Sequence, residues 1–303
     1  MMKKFLSIIL AFAMMLSFSI PAFATEVNNE TSNANIGNSV YLDAESKIAF
    51  ANEKDALYAN SPSTCSFASD AEKIDYIDEL RAKAEFANGS ELNAILNELE
   101  SLGVYRYDAT AEGISTYATE NGDVTINTPT IYYNAWESSW TVTCSGEWKN
   151  DDWRNDKSSA GNVGGLDGFG VGYYNTSGTY DSIVLRASAY MSNGLTDSSY
   201  QSSGTSSRSD GDGKSGFGFQ IQDKVVMVNG TSTFIGKEWY GDCTYDYDFT
   251  YYNGVATAYY VHTWNTASLT GVGFGVGVDQ VSFDFSIQNE AYSFKGYSAD
   301  KSF

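Results

Sequence analysis

The chain has 303 residues and a formal net charge of −20 at pH 7. Binding to nucleic acid or to an anionic lipid surface requires a basic face, so a chain this acidic excludes both as simple electrostatic partners. The length allows one large domain or two small ones.

The first 24 residues have the three parts of a secretory signal. Lys3 and Lys4 form the positive start, the apolar stretch from Phe5 to Ile20 follows, and Ala22-Phe23-Ala24 fits a cleavage site. The apolar run is too short for a stable membrane span. The sequence therefore predicts a secreted, extracellular protein with cleavage near Ala24.

The N-terminal part is expected to be helical after a leader. Residues 25–66 are rich in Asn, Ser and Ala, which predicts a disordered leader. Residues 67–103 predict a small helical hairpin, because Ser69 and Glu72 form a capping box and Gly103 ends a second apolar stripe. Such a hairpin buries too little to fold alone, so it docks on the following domain or serves as a removable pro-segment. Residues 104–121 are expected to be a linker.

The composition changes to β-structure beyond this point, and residues 122–303 predict an all-β domain rich in glycine and aromatic residues. The run "SWTVTCSGEW" alternates between two faces, and roughly ten to twelve such strands would form an antiparallel sandwich or a barrel-like sheet pair. Asn-Gly pairs at 193–194, 229–230 and 253–254 predict hairpins. A two-residue turn at the last pair would place His262 on the core face, opposite Tyr245.

Two copies of "GFGVG", at Gly168 to Gly172 and Gly273 to Gly277, resemble a phosphate-binding loop at first sight, as does "GFGF" at Gly216 to Phe219. A dinucleotide site needs a helix directly after the glycines, and no helical period follows either copy. These segments are predicted to be strands with one bare face, which lets aromatic rings approach closely.

Disulfide and metal chemistry have few candidates. Cys144 and Cys243 are a candidate disulfide, with two buried thiols as the open alternative. One histidine and three dispersed cysteines give no zinc spacing. Calcium is a candidate cofactor, at Asp210 and Asp212 or at Asp151, Asp152 and Asp156. Neither stretch fits the twelve-residue calcium loop, and the glycine frame of the first would need an acid where Phe219 lies.

The long connection from Glu147 to Gly168 holds the candidate binding site. Trp153 lies there among charged and amide side chains, with Asp151, Asp152 and Trp148 close in sequence. An exposed indole would stack on a sugar ring or anchor a protein partner, whereas a buried one would fix the loop in place.

Three functions remain open from the sequence. Extracellular binding of a polysaccharide or cell-surface ligand comes first, without catalytic residues. The second is a membrane-active or antibacterial protein, because the serine-rich stretch from Ser198 to Gly216 could be an extended hairpin, although it lacks a lipid-facing apolar band. The third is a polysaccharide hydrolase, since the composition resembles that of jelly-roll glycosidases. Such an enzyme needs two carboxylates close together, and the sequence pairs none of the five glutamates beyond residue 119.

Overall fold

The computed structural model describes residues 44–61, 65–108, 122–156, 161–194, 202–203, 213–228, 230–265, 267–276 and 281–303. All of them belong to one unit, Ser39–Phe303. The predicted signal at residues 1–24 and the calcium candidates Asp210 and Asp212 lie outside the described residues, so they stay predictions.

Among the described residues, three α-helices precede the sheets: α1 (Ala44–Asn60), α2 (Asp70–Phe86) and α3 (Gly89–Ser101). The hairpin expected over residues 67–103 is present as α2 and α3. At its start the Ser69 hydroxyl accepts from the backbone N–H of Glu72 at 3.2 Å, and the Glu72 carboxylate accepts from the N–H of Ala68 at 2.6 Å. None of the helices among the described residues is long and apolar enough to cross a membrane.

Helix α1 corrects the expectation of a disordered leader, which is wrong over residues 44–60. The sequence of α1 has no apolar stripe, so the helix depends on tertiary contacts. Ala51 and Lys47 are buried, and the Lys47 ammonium donates to the backbone carbonyls of Phe249, at 2.8 Å, and Tyr252. These partners lie some two hundred residues away, where a local pattern gives no sign of them.

Fifteen strands follow among the described residues and form antiparallel sheets, which confirms the all-β sandwich-like class. The expected linker is wrong at its start, because residues 104–106 form the first strand. The strands are β1 (Val104–Arg106), β2 (Val124–Ile126), β3 (Ile131–Asn134), β4 (Ser139–Trp148), β5 (Asp167–Gly178), β6 (Val184–Ser192), β7 (Ser202–Ser203), β8 (Gly216–Ile221), β9 (Lys224–Val228), β10 (Thr231–Ile235), β11 (Glu238–Tyr245), β12 (Tyr252–Thr263), β13 (Ser268–Val276), β14 (Val281–Gln288) and β15 (Ser293–Ser302).

The strands are divided among two larger sheets and two hairpins. The first sheet has the order β1-β3-β4-β11-β6-β7, with β2 paired to β4, and the second has the order β15-β12-β5-β8. Strands β9 and β10 form one separate hairpin, and β13 and β14 the other.

The core lies between the two larger sheets and is aromatic. Trp239 of the first sheet stacks on Tyr260 of the second, with ring centroids 3.9 Å apart. A Cβ atom at Gly241 would lie 2.8 Å or less from the rings of Phe169 and Phe219, so the bare backbone there admits both rings. The glycine-rich stretches at 168–172 and 216–219 are strands β5 and β8, as predicted, and Gly273 lies in β13.

The Asn-Gly pairs have different outcomes. The hairpin at residues 229–230 is confirmed, because Val228 pairs with Thr231. The hairpin at residues 253–254 is wrong, because these residues lie inside β12, which pairs with β5 and β15. Strands β11 and β12 belong to different sheets, joined by a 3-10 helix over Tyr247–Tyr251. The two-residue turn at residues 193–194 is wrong, because β6 pairs with β7, the next strand along the chain, with Met191 opposite Ser202, which leaves ten residues between the paired positions.

Helix α2 covers the polar outer face of the first sheet. The Arg81 guanidinium is fully buried and bonds Asp78 and Thr141, and it lies 3.7 Å from the Asp242 carboxylate. Farther along the helix, the Glu85 carboxylate accepts from Thr143 at 2.8 Å and Ser145 at 2.9 Å. Burial raises the pKa of Glu85, although the hydroxyl hydrogen bonds oppose the rise.

This raised pKa predicts a pH-dependent effect of Glu85→Gln. A carboxyl whose folded-state pKa is raised stabilises the fold below its unfolded pKa, and that contribution is lost as the pH rises through the folded-state pKa. The glutamine variant, which keeps the shape and stays neutral, should match the wild type near pH 4 and exceed it in stability near pH 8. Urea unfolding at the two pH values measures the difference.

Glu79→Gln is the matched control, because Glu79 lies on the same helix but is substantially exposed in an ion pair with Lys83. It should change stability by less than about 0.5 kcal/mol at both pH values. A Glu85→Gln variant that is no more stable than the wild type at pH 8 would show that the ionised carboxylate is well accommodated.

Candidate functional site

The loop that carries the binding candidates does not present an aromatic platform. Trp153 lies in a 3-10 helix (Asp152–Asn155) and is 1% exposed, so the expectation of an exposed indole is wrong. Its ring packs edge-on against Phe234 at 6.0 Å, in space that Gly236 leaves open. Trp148 is buried as well. The structure therefore agrees with the alternative interpretation, in which a buried Trp153 fixes the loop in place.

The two loop acids remain at the surface. Asp151 forms an ion pair with Arg154 at 2.9 Å, and the backbone N–H of Asp152 donates to Asn150 at 3.0 Å. Both aspartates are exposed, but with the indoles turned inward they form no site together with Trp148 and Trp153.

The candidate disulfide is not formed. Cys144 lies opposite Gly241 and Cys243 opposite Val142, so the two cysteines are diagonal neighbours on one face of adjacent strands. Diagonal neighbours are typically about 7–8 Å apart, beyond the reach of a disulfide in a regular sheet. Both side chains are buried, as the alternative with two thiols predicts.

A groove of about 840 Å³ lies between the α2–α3 hairpin and strands β6 and β11. Its walls combine three tyrosines, serine hydroxyls and a row of carboxylates. The tyrosines are Tyr76, Tyr190 and Tyr240, and the acids are Asp75, Asp78, Glu79, Glu91, Glu98 and Glu238. This groove could not be predicted from the sequence, because its two walls are far apart along the chain.

The sheet side of the groove is held in place by hydrogen bonds. The Tyr240 hydroxyl donates to Asp242 at 3.0 Å, and the ring of Tyr190 lies 5.2 Å from that of Tyr240 at an angle of 31°. Ser192 donates to the Glu238 carboxylate at 2.7 Å. These polar groups are therefore oriented before any ligand arrives.

Two glutamates stand directly opposite each other beside the groove, a pairing that the sequence did not reveal. Glu147 of β4 is the register partner of Glu238 of β11. The bond from the Trp148 N–H to the Lys237 carbonyl, 2.9 Å, marks them as a non-hydrogen-bonded pair, whose side chains lie close. Burial raises the pKa of Glu238, the bond from Ser192 opposes the rise, and the charge of Glu147 adds to it. Like charges directly opposite are destabilising, and such violations concentrate at functional sites.

A second cluster of ionisable groups is buried around His262. The imidazole Nδ1 lies 2.7 Å from Asp167 Oδ2, and Nε2 lies 2.7 Å from Asp156 Oδ2. Burial alone would lower the pKa of His262, but the two carboxylates outweigh burial and raise it to about 10. The core position predicted for His262 is confirmed, whereas its predicted place opposite Tyr245 is wrong, because His262 pairs with Phe294 of β15.

Asp223, in the turn between β8 and β9, completes this cluster. Potential ligand atoms of Asp167, Asp223 and His262 all lie within 4.8 Å of one another, and all three residues are buried. Burial and the charge of Asp167 raise the pKa of Asp223 well above its usual value, although His262 opposes the rise. Among the described residues this is the group with the composition and spacing of a metal site.

Comparisons with known proteins identify no family. No family model matches the chain, and no curated protein matches it. Among solved structures, Clostridium perfringens delta-toxin is matched with a TM-score of 0.24 and 7% identity, covering 64% of this chain and 92% of that one. A likeness at this level carries no argument about function. The serine-rich stretch lies mostly outside the described residues, so the membrane-active alternative stays a prediction.

The burial of Trp153 predicts that Trp153→Ala lowers stability. Removing a buried tryptophan leaves a cavity, which typically costs about 3–5 kcal/mol. Thermal or urea unfolding measures the loss, with Tyr297→Ala as the control, because Tyr297 is 44% exposed. Unchanged unfolding of Trp153→Ala would mean that the indole is at the surface and available for binding.

Proposed function

We propose that this chain is an extracellular binding protein whose ligand occupies the groove between the α2–α3 hairpin and the first sheet. The observation that carries the proposal is the groove itself, about 840 Å³ with tyrosine rings and carboxylates on its walls. Small-molecule sites in proteins have volumes of about 300–1,000 Å³ and combine aromatic surface with a few placed polar groups. The predicted secretory signal supports an extracellular ligand.

Carbohydrate is the ligand class that these walls fit best. Sugar rings offer C–H faces, which pack on aromatic rings such as that of Tyr190, and hydroxyl groups, which donate to carboxylates such as Glu238. Because Ser192 and Asp242 already orient Glu238 and Tyr240, little side-chain freedom is lost on binding. The acidic lining also favours sugars that are neutral or carry amino groups over acidic polysaccharides.

Retention of the full chain on insoluble polysaccharides, including cell wall, tests this function. We expect the wild type and Tyr190→Phe to be retained and Tyr190→Ala to be released at least about tenfold more readily, since losing aromatic stacking costs roughly 1.4 kcal/mol or more. Tyr297→Ala, on the second sheet, is the surface control and should behave as the wild type.

Two outcomes contradict the proposal. The wild type could fail to bind every polysaccharide of the panel, which removes carbohydrate as the ligand. Alternatively, it could bind while Tyr190→Ala binds equally well and remains folded, which places the ligand outside the groove.

The Glu147–Glu238 pair favours polysaccharide hydrolysis as a second candidate function. A glycosidase needs one carboxylic acid that keeps its proton near neutral pH and one ionised carboxylate close to it. Burial and Glu147 raise the pKa of Glu238, which suits the general acid, and Glu147 would then serve as the nucleophile or the base. Both residues project from the same face of adjacent strands, at the end of the sheet that borders the groove.

Release of reducing ends from a retained polysaccharide tests this second function. Glu238→Gln and Glu147→Gln should each lower the rate by about 10²–10⁴-fold while retention on the polysaccharide persists. Glu91→Gln removes a groove acid outside the pair and should leave the rate within a fewfold of the wild type. A wild type that binds polysaccharide without releasing reducing ends would eliminate hydrolysis and leave the binding function intact.

A further inference from the structure

We infer that Asp167, Asp223 and His262 form a binding site for a divalent transition-metal ion, with zinc as the best fit, and that Asp156 positions the histidine. The site is separate from the groove and does not depend on the function proposed for it. It lies in the second sheet, where β5 and β12 are adjacent and the turn after β8 approaches them.

The spacing of the potential ligand atoms fits one small cation. Around a tetrahedral zinc ion with bonds of about 2.0–2.1 Å, ligand atoms lie roughly 3.4 Å apart. The three potential ligand atoms here lie within 4.8 Å of one another, and His262 Nδ1 and Asp167 Oδ2 are 2.7 Å apart. Shifts of less than about 1 Å would therefore place all three on an ion.

The surroundings of these atoms resemble the outer shell of a metal site. A histidine that binds metal through one nitrogen generally donates its other N–H to a carboxylate, which fixes the tautomer and the ring. Asp156 Oδ2 lies 2.7 Å from Nε2 and would take that role, which leaves Nδ1, 2.7 Å from Asp167 Oδ2, as the atom that would bind the ion. Asp167 is itself held, because its Oδ1 accepts from the Thr263 N–H at 2.8 Å and its Oδ2 from the Tyr260 hydroxyl at 3.2 Å.

The charge balance of the cluster also favours a cation. Three carboxylates surround a single imidazole, and even an imidazolium would neutralise only one of them. Asp223 is buried, and the side-chain hydrogen bond to its carboxylate, from the Gln222 amide, is long at 3.3 Å. A divalent ion would neutralise two of the carboxylates. Mixed imidazole and carboxylate ligands suit zinc and its first-row neighbours, whereas calcium prefers oxygen ligands alone.

A zinc titration monitored through the histidine tests the inference on the wild-type chain. Because His262 is the only histidine in the sequence, its imidazole NMR signals are unambiguous. The full chain, freed of metal with a chelator and dialysed, should bind one equivalent of Zn²⁺, with the imidazole signals shifting in step and the melting temperature rising. Co²⁺ should replace zinc and give a visible absorption band of a low-coordinate site.

Three single-residue variants distinguish a metal ligand from an outer-shell partner and from a nearby surface acid. Asp223→Asn should abolish the tight one-to-one binding, and Asp156→Asn should weaken it by about 10–100-fold, as expected for an outer-shell partner. Asp151→Asn changes an exposed acid of the same loop and should bind Zn²⁺ as the wild type does.

Imidazole signals that stay unchanged at one equivalent of Zn²⁺ in the folded wild type would overturn the inference, whether or not the variants fold. So would binding of equal strength in a folded Asp223→Asn. The cluster would then be a salt-bridge network without a metal, in which a protonated imidazole bridges Asp156 and Asp167.

Discussion

The rest of the structure depends on how the polar outer face of the first sheet is covered. Thr141, Thr143 and Asp242 lie on that face and are almost completely removed from water. Buried polar groups are costly unless they are hydrogen-bonded, so whatever covers them has to supply partners. Helix α2 does so with two charged side chains, Arg81 and Glu85, that an ordinary amphipathic helix would expose to solvent.

This arrangement explains the groove. The buried contacts of Arg81 and Glu85 fix α2 over β4 and β11, and α3 follows as the second arm of the hairpin. Beyond the edge of α2 the same polar face continues uncovered onto β6 and the start of β11. There Ser188 and Tyr190 of β6 and Glu238 of β11 line the groove. The hydroxyls and carboxylates there are polar groups of the same kind as those to which α2 supplies hydrogen bonds on the rest of the face. A ligand with many hydroxyl groups would extend the same type of hydrogen bonding, which supports the proposal of a carbohydrate ligand.

The helices are also relevant to the pro-segment hypothesis. Loss of the hairpin would expose the polar face and leave Asp242 without the nearby guanidinium. It would also remove one wall of the groove. The proposed binding function therefore requires α2 and α3 to stay attached, whereas the metal site, which lies in the second sheet, does not.

Local patterns in the sequence predicted the elements whose formation is decided locally. The capping box at Ser69 and Glu72, the turn at residues 229–230 and the alternation in the glycine-rich strands are examples. The prediction of a turn at residues 253–254 failed because Asn253 and Gly254 lie at an irregularity in the pairing of β12 with β5, where a strand tolerates residues that otherwise favour a turn. Only the change of sheet after β11 decides between the two. The burial of Trp153 depends on Phe234 and Gly236, some eighty residues away.

The sites were less predictable than the fold, because they are assembled by register between distant strands. Glu147 and Glu238 become neighbours only once β4 is paired with β11. His262 meets Asp156 and Asp167 across about one hundred residues of chain. Parity within a strand indicated that His262 is buried, but it gave no sign of the carboxylates that face it. The sequence thus supplied the residue types, and the long-range pairing supplied their chemistry.

A double-mutant cycle between Arg81 and Asp242 tests most directly whether the buried charges of α2 hold the helix on the sheet. Unfolding free energies would be measured for the wild type, Arg81→Met, Asp242→Asn and the double variant. The account predicts a coupling of about 0.5–3 kcal/mol, with each single variant destabilised and the second substitution costing less once the first is present. Strictly additive effects would show that the helix is held by other contacts and that the groove does not depend on this pair.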